Sequence, residues 1–215
     1  MSHLSLMVID PSITHPEVES FNKIVEECSY PCTYHFPVMS DMDSISRSLS
    51  SSCGIIILGS AASVHDQSDW QSELASMLFK AIESEIPILG ICFGHQFLAH
   101  HLGGRVEYLW SKRKREGVRG IYVKNSSLID SNESFNLIYS HREGVVECPN
   151  NFYVSASSKL VEVEAINHNA KAIWGFQTHI EASFSFANRH GISFDEYETI
   201  ERDGMTLMKS FFDKI

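Results

Sequence analysis

The first half of the chain alternates short apolar runs with longer segments whose apolar residues recur every three or four positions. Short apolar runs favour buried strands, and three-to-four spacing favours amphipathic helices. The predicted strands are 4–9, 32–38, 54–58 and 88–91, and the predicted helices are 16–28, 41–49, 69–85 and the segment after residue 92. This alternation predicts a parallel sheet that is covered by helices on both faces.

The second half has a different pattern, with apolar segments that follow one another too closely for crossover helices. The predicted strands are 105–108, 119–123, 135–139, 152–156, 160–166 and 172–176, with a turn at Asn167-His168-Asn169. Residues 193–202 and 204–215 close the fold as helix. We therefore expect one domain over residues 1–215, with an α/β fold of three layers. Its doubly wound, mostly parallel central sheet is flavodoxin-like and carries an additional antiparallel strand region in the C-terminal half.

Composition narrows the functional classes. Acidic residues outnumber basic ones 27 to 17, for a net charge of −10, which disfavours a nucleic-acid surface. The chain has 5 cysteines, too few for a disulfide scaffold, so we expect a reducing, cytoplasmic setting. No basic leader and no apolar run long enough for a membrane span is present, and we expect neither a nucleic-acid partner nor a membrane partner.

The strongest chemical signal is Gly90-Ile91-Cys92-Phe93-Gly94, between the strand 88–91 and the following helix. A strand, a glycine-bracketed cysteine and a helix form the layout of a nucleophile elbow, whose tight turn leaves no room for flanking side chains. Free N–H groups at the helix start favour a thiolate, and the Phe93 N–H points where an oxyanion would form. Taken alone, Cys92 is either a nucleophile or a small core residue.

A second signal follows the predicted strand 172–176. Residues two apart in an extended segment point the same way, so His179 and Glu181 can share one side. The imidazole would face a thiol while the carboxylate holds its other nitrogen. This arrangement is that of a Cys-His-acid triad.

Four segments together resemble class I (triad-type) glutamine amidotransferases. Gly90-Ile91-Cys92-Phe93-Gly94-His95-Gln96 resembles the family's Gly-x-Cys-x-Gly-x-Gln, and Gln177-Thr178-His179-Ile180-Glu181 resembles its Gln-Phe-His-Pro-Glu. Residues 55–64 are similar to its strand and Gly-Gly-Pro-x-Ser loop, and residues 139–143 to its Ser-His-x-Asp segment. The blocks occur in family order between about residues 4 and 183. They resemble the glutaminase portion of GMP synthetases, and still more the stand-alone members of the family.

The resemblance implies a glutaminase that hydrolyses the side-chain amide of L-glutamine through a γ-glutamyl thioester on Cys92, with His179 as base and Glu181 orienting it. No acceptor-domain signature is present, so ammonia would pass to a separate synthase subunit or to water. Two alternatives stay open: a hydrolase of γ-glutamyl peptides or amides that uses the same triad, and an inactive subunit that only binds.

The resemblance further implies that Gly59 and Phe93 supply the oxyanion N–H groups. Ser60 and Ala61 stand where the family has a second Gly and a Pro. If that Gly needs a positive φ, Ser60 would strain the loop or bend it elsewhere.

The resemblance also implies that Gln96, Ser140 and His141 line a glutamine pocket. Judged from the residues alone, Gln96 is either a pocket residue, which we favour, or an ordinary polar residue of the first helical turn. His141 is equally a solvated loop histidine.

Two further clusters lie near the expected site. His95, His100 and His101 have no carboxylate or cysteine at ligand spacing, so no metal is expected, and the resemblance implies no cofactor. The basic run at 112–115 is either a solvated loop or a docking patch for a partner or an anionic substrate.

Overall fold

The computed structural model describes residues 4–39 and 42–215. In the first half, strands and helices alternate as the pattern predicts. The elements are β1 (Ser5–Ile9), α1 (Val18–Glu27), β2 (Cys32–His35), α2 (Asp43–Leu49), β3 (Ser52–Ile57), α3 (Asp69–Glu83), β4 (Ile88–Ile91) and α4 (Phe93–His101).

The second half consists mostly of strands and ends in helices. The elements are β5 (Arg105–Tyr108), β6 (Arg115–Val123), β7 (Glu133–His141), β8 (Glu143–Glu147), β9 (Phe152–Ser157), β10 (Ala165–His168), β11 (Ile173–Phe176), α5 (Phe184–Arg189) and α6 (Phe194–Phe212). A single 3₁₀ turn, Trp110–Lys112, connects β5 to β6.

Within the described residues, the main sheet has the order β2-β1-β3-β4-β11-β10-β9-β6-β7. The pairings from β2 to β11 are parallel, and those from β11 to β7 are antiparallel. A separate antiparallel ribbon joins β5 and β8. These pairings confirm the α/β fold with a parallel region and an antiparallel extension in the second half.

Successive residues of the parallel strands pack on opposite faces of the sheet. In β1, Met7 and Ile9 belong to a core cluster with α3 and α4, whereas Leu6 and Val8 belong to one with α1 and α6. Because both faces of these strands are buried, their sequences are continuously apolar rather than alternating.

Several predicted strand boundaries in the second half differ from the structure, and two of the differences have a clear local cause. Residues 160–164 were predicted as strand but lie outside the observed strand β10, because Ser158 Oγ accepts the N–H groups of Leu160 and Val161, each at 3.1 Å, which makes a turn. The turn expected at 167–169 begins later, because His168 Nδ1 accepts the N–H groups of Ala170 and Lys171 at 3.0 and 2.9 Å. Asn167 and His168 therefore belong to β10.

Other elements differ from the prediction in number or continuity. β8 and α5 were not predicted, because the first is a short strand in a two-stranded ribbon and the second has only 6 residues. The closing segment is one continuous helix through Gly204, where a Cβ atom would lie 2.5 Å from the carbonyl oxygen of Ile180. Among the described residues, no helix combines the length and apolar character needed to cross a bilayer.

The sheet brings three strand ends together. β4 lies between β3 and β11, and all three run parallel. Ile91 pairs with Phe176, so the residues directly after β4 and β11 leave the sheet side by side. Ligands of parallel α/β sheets bind at such carboxyl ends.

Candidate active site

Cys92 occupies the sharp turn between β4 and α4. Its backbone has φ +52° and ψ −101°, which side-chain-bearing residues rarely adopt. A Cβ atom at Gly94 would lie 2.1 Å from the Ile57 carbonyl oxygen, and one at Gly90 would lie 2.5 Å from the Gly94 carbonyl. The glycines on both sides are therefore required. The Phe93 N–H begins the helix and has no acceptor within it.

His179 and Glu181 follow β11 and are both buried. His179 Nδ1 lies 2.9 Å from Glu181 Oε1, and the His179 backbone N–H donates to the Ile138 carbonyl at 2.8 Å. Burial disfavours the charged imidazole, but attraction and hydrogen bonding from Glu181 and Cys92 outweigh it and raise the pKa of His179 to about 10. The structure thus brings the cysteine, histidine and glutamate of the sequence-based triad into one buried cluster.

Gln177 also contacts the cysteine, which the sequence pattern did not reveal. Its Nε2 donates to Cys92 Sγ at 3.8 Å, and its Oε1 accepts from Gln96 Nε2 at 3.0 Å. Alternation along the extended segment places His179 and Glu181 on one side. The same rule, extended two residues towards the N-terminus, would have found Gln177.

Gln96 and His141 meet at one carbonyl. The Glu143 carbonyl oxygen accepts from Gln96 Nε2 at 2.8 Å and lies 2.7 Å from His141 Nδ1. His141 is only 5% exposed, so its interpretation as a solvated loop residue is wrong. Burial and the nearby Arg119 guanidinium lower the pKa of His141 to about 3, and the ring is neutral at physiological pH.

Cys92 lies where two cavities meet. The smaller, which we call the Gln96 cavity, has a volume of about 190 Å³. The larger, which we call the His179 cavity, has about 290 Å³. Besides Cys92, the Gln96 cavity is lined by Gln96, Ser140, His141, Arg142 and Glu143, and the His179 cavity by Glu17, His179, Glu181, Phe186 and Arg189. All three residues expected in the glutamine pocket therefore line one cavity beside the thiol.

The loop after β3 forms another wall of the site. A Cβ atom at Gly59 would lie 2.7 Å from His179 Cε1, so only glycine allows this close approach. The φ of Ser60 is not positive, and the strain expected there is absent. Instead, Ser60 Oγ donates to the Pro11 carbonyl at 2.7 Å and accepts the Ala62 N–H at 3.0 Å. The loop is thereby fixed to the segment after β1.

The remaining departures from the family pattern lie in the core rather than in the cavities. Thr178 and Ile180 are at most 1% exposed. Ile180 packs with residues of β4 and α6. Thr178 and Ile180 therefore point away from the cavities, whereas His179 and Glu181, which alternate with them, line the His179 cavity.

Charged residues surround the entrance to the His179 cavity. Arg189 Nη2 donates to both carboxylate oxygens of Glu17, at 2.6 and 2.7 Å. Glu116 pairs with Lys114 at 2.9 Å and with His190 at 2.8 Å. Lys114 lines both cavities, so the basic run at 112–115 contributes one residue to the site itself.

The histidines of α4 take no part in a metal site in the described part of the chain. Complete burial lowers the pKa of His95 to about 3. The rings of His100 and His101 pack edge to face, 5.0 Å apart. Within residues 4–39 and 42–215, no group of three or more His, Cys, Asp or Glu side chains could hold a metal ion.

Much of the chain is similar in sequence to known proteins. Residues 17–198 match the family model described as Glutamine amidotransferase class-I. The chain is 40% identical over 111 residues to one subunit of the glutamine-hydrolyzing GMP synthase from Methanococcus aeolicus, across 48% of this chain and 55% of that one. It is 28% identical over 159 residues to the glutamine-hydrolyzing GMP synthase of Phocaeicola vulgatus, across 74% of this chain and 27% of that one.

The fold is similar to that of a glutamine amidotransferase from Thermotoga maritima. The TM-score is 0.77 over 100% of this chain and 98% of that one, with 19% sequence identity. This likeness shows the fold alone. The chain spans about half the length of the first curated relative and about a quarter of the second.

Proposed function

The chain belongs to the class-I glutamine amidotransferase family, and on that premise we propose that it is a glutaminase that uses Cys92 as its nucleophile. The observation that carries the proposal is the cysteine in a strained elbow beside a buried His179–Glu181 pair 2.9 Å apart. Residues 1–215 act as one amidotransferase domain in this proposal.

In the first half-reaction, the Cys92 thiolate attacks the side-chain amide carbon of glutamine. The N–H groups of Gly59 and Phe93 stabilise the oxyanion. His179, charged through Glu181 and Cys92, donates its proton to the nitrogen as the C–N bond breaks. Ammonia leaves and a γ-glutamyl thioester remains on the sulfur.

In the second half-reaction, neutral His179 accepts a proton from water, which attacks the thioester. The C–S bond breaks, glutamate is released, and the thiolate–imidazolium pair is restored. The Gln96 cavity holds the glutamyl part in both steps, because Cys92 lines this cavity whereas His179 and Glu181 do not.

The ammonia acceptor belongs to another chain in this proposal. The matched relative from Methanococcus aeolicus is named as one subunit of its synthase, and this supports a partner in the form of a separate synthase subunit. All five cysteines are free, which supports a reducing, cytoplasmic setting.

A second candidate is hydrolysis of γ-glutamyl peptides or amides. The leaving group departs on the side of His179, where the cavity volume is about 290 Å³. A cavity needs only ~10–15 Å³ of such volume to hold one water molecule, which is close in size to ammonia. Larger amines therefore have space beside the base, so the site is compatible with this second candidate.

One experiment tests both candidates. Purified protein is assayed for release of glutamate from L-glutamine and from γ-glutamyl dipeptides, with Cys92→Ala as control. Turnover of glutamine that Cys92→Ala abolishes supports the glutaminase. Faster turnover of dipeptides assigns the second function, and equal background in both proteins would reject catalysis by Cys92.

A further inference from the structure

Arg119 is a buried cation that the reaction steps above do not use. Its side chain is 5% exposed, and its Nη2 donates to Glu164 Oε2 at 2.8 Å. The same Nη2 lies 2.8 Å from His141 Nε2, and the guanidinium carbon lies 4.2 Å from the Tyr139 ring centroid. A buried charge is costly unless it is paired, and Glu164 supplies the pair.

The strand register explains how Arg119 reaches the histidine. In the β6–β7 ladder, Arg119 lies opposite Leu137, and Gly117 lies opposite Tyr139. Residues two apart share a face, so the Arg119 side chain runs along the Tyr139 ring towards His141. Gly117 has no side chain to obstruct this path.

Arg119 determines which nitrogen of the His141 ring carries hydrogen. Arginine only donates hydrogen bonds, so His141 Nε2 must accept from it. The proton of the neutral ring is then on Nδ1, which donates to the Glu143 carbonyl at 2.7 Å. That carbonyl also accepts from Gln96, so the tautomer fixes a carbonyl in the wall of the Gln96 cavity.

Glu164 connects the same ion pair to the nucleophile. Its backbone carbonyl accepts the Gln177 N–H at 2.7 Å, and its Oε1 accepts from Ser158 Oγ at 2.6 Å. The Gln177 side chain contacts both Gln96 and Cys92. The Arg119–Glu164 pair is therefore bonded directly to Gln177 and is linked to Gln96 through His141 and the Glu143 carbonyl.

We propose that Arg119 is a positioning residue that sets the affinity of the Gln96 cavity for the glutamyl part of the substrate. Arg119 lines neither cavity, so it acts through His141 and the Glu143 carbonyl. The inference rests on the proposed function for the identity of the ligand. Loss of Arg119 weakens binding of L-glutamine and leaves the thiol chemistry nearly unchanged.

The first test uses Arg119→Lys, which keeps the charge and removes the guanidinium Nη2, the single nitrogen that contacts both Glu164 and His141. We expect KM for L-glutamine to rise about tenfold, which is equivalent to about 1.4 kcal/mol. The kcat should stay within about twofold of the wild-type value. Arg105→Lys is the matched control, because Arg105 also pairs with carboxylates but lies exposed on the β5–β8 ribbon.

The second test measures the histidine directly. Nitrogen NMR of the His141 ring is expected to show Nδ1 protonated and Nε2 unprotonated in the wild type, and a mixture of tautomers in Arg119→Lys. A purely structural role of Arg119 would leave this signature unchanged. The double variant Arg119→Met/Glu164→Met removes both charges, leaves no unpaired ion, and is expected to show the same mixture.

A third variant isolates the coupling. In His141→Asn, the side-chain amide replaces Nδ1 as donor to the Glu143 carbonyl and has no Nε2 for Arg119 to orient. Adding Arg119→Lys in that background should therefore leave the KM unchanged. A further tenfold rise there would overturn the proposal, because Arg119 would then act without His141.

The outcomes separate this inference from the proposed function. If the wild type does not hydrolyse glutamine, the proposed function fails. The inference about Arg119 is then tested with the dissociation constant of L-glutamine, measured in the Cys92→Ala background, in place of KM. Equal affinity in the Arg119→Lys and Arg105→Lys variants overturns the inference, as does a fall in kcat as large as the rise in KM. An unchanged His141 tautomer overturns it as well.

Discussion

Gln177 Nε2 lies 3.8 Å from Cys92 Sγ, although the two residues are 85 positions apart in the sequence. The amide is fixed in orientation, because its oxygen accepts from Gln96. Its N–H group therefore faces the sulfur. A donor in this position stabilises the thiolate more than the thiol.

Replacement of Gln177 by Leu should lower kcat/KM for glutamine about tenfold to a hundredfold, the range for loss of a hydrogen bond to a charged group. The rate at which iodoacetamide alkylates Cys92 at pH 7 should fall as well. Peptide mass spectrometry measures it, and Cys148 in the same sample is the internal control. Equal labelling of Cys92 in both proteins would contradict the role of Gln177.

The backbone of Cys92 should limit the stability of the protein. At φ +52° and ψ −101°, a residue with a Cβ atom is strained by about 1–3 kcal/mol, whereas glycine adopts positive φ freely. Cys92→Gly should therefore be about 1 kcal/mol more stable than Cys92→Ala in urea unfolding, and both should be inactive. Equal stability would show that the elbow is not strained.

We expect position 94 to accept only glycine, the residue present there (Gly94). In Gly94→Ala, the new Cβ atom would lie 2.1 Å from a backbone oxygen of β3, and we expect a loss of about 3 kcal/mol or more, or no folded protein. Gly103→Ala is the matched control. Gly103 lies just after α4 and has positive φ, but an added Cβ atom would meet nothing within 4 Å, so a loss of about 1 kcal/mol is expected there. Similar thermal unfolding of the two variants would contradict the close approach.

The His179–Glu181 pair should make stability depend on pH in a defined direction. The folded pKa of His179 is about 10, against 6.5 for the free side chain. A raised pKa contributes stability that is complete below pH 6.5 and is lost as pH rises towards 10. The destabilisation of Glu181→Gln should accordingly be largest at pH 6 and smallest at pH 10.

Urea unfolding at pH 6, 8 and 10 measures this trend. Glu147→Gln is the control, because Glu147 is exposed and pairs with Arg105 on the surface. If the destabilisation caused by Glu181→Gln instead grew with pH, His179 would be neutral in the folded protein.

The parts of the site that could be predicted from sequence depend on local geometry. The elbow follows from two glycines around Cys92, and the pairing of His179 with Glu181 follows from alternation along one short segment. The contacts of Arg119 with His141 and Glu164 span 22 and 45 residues and depend on strand register, which no local pattern specifies.

The wrong boundaries have a similar cause. Residues 160–166 carry the apolar residues of a strand, but a single hydroxyl, that of Ser158, takes the N–H groups that would have joined the ladder. At Ser60, strain was expected only if the family's glycine requires a positive φ. The loop instead takes a conformation that suits serine and is held by the Pro11 carbonyl.

The position of β11 beside β4 also has a consequence for the order of folding. Strands β1, β3 and β4 can pair among themselves, but His179 reaches Cys92 only after β11 has joined β4. Such contacts between distant parts of the chain form slowly, because a long loop must close first. A chain emerging from the ribosome therefore contains the thiol long before it has a base. Recovery of turnover in a refolding experiment consequently reports the closure of the central sheet.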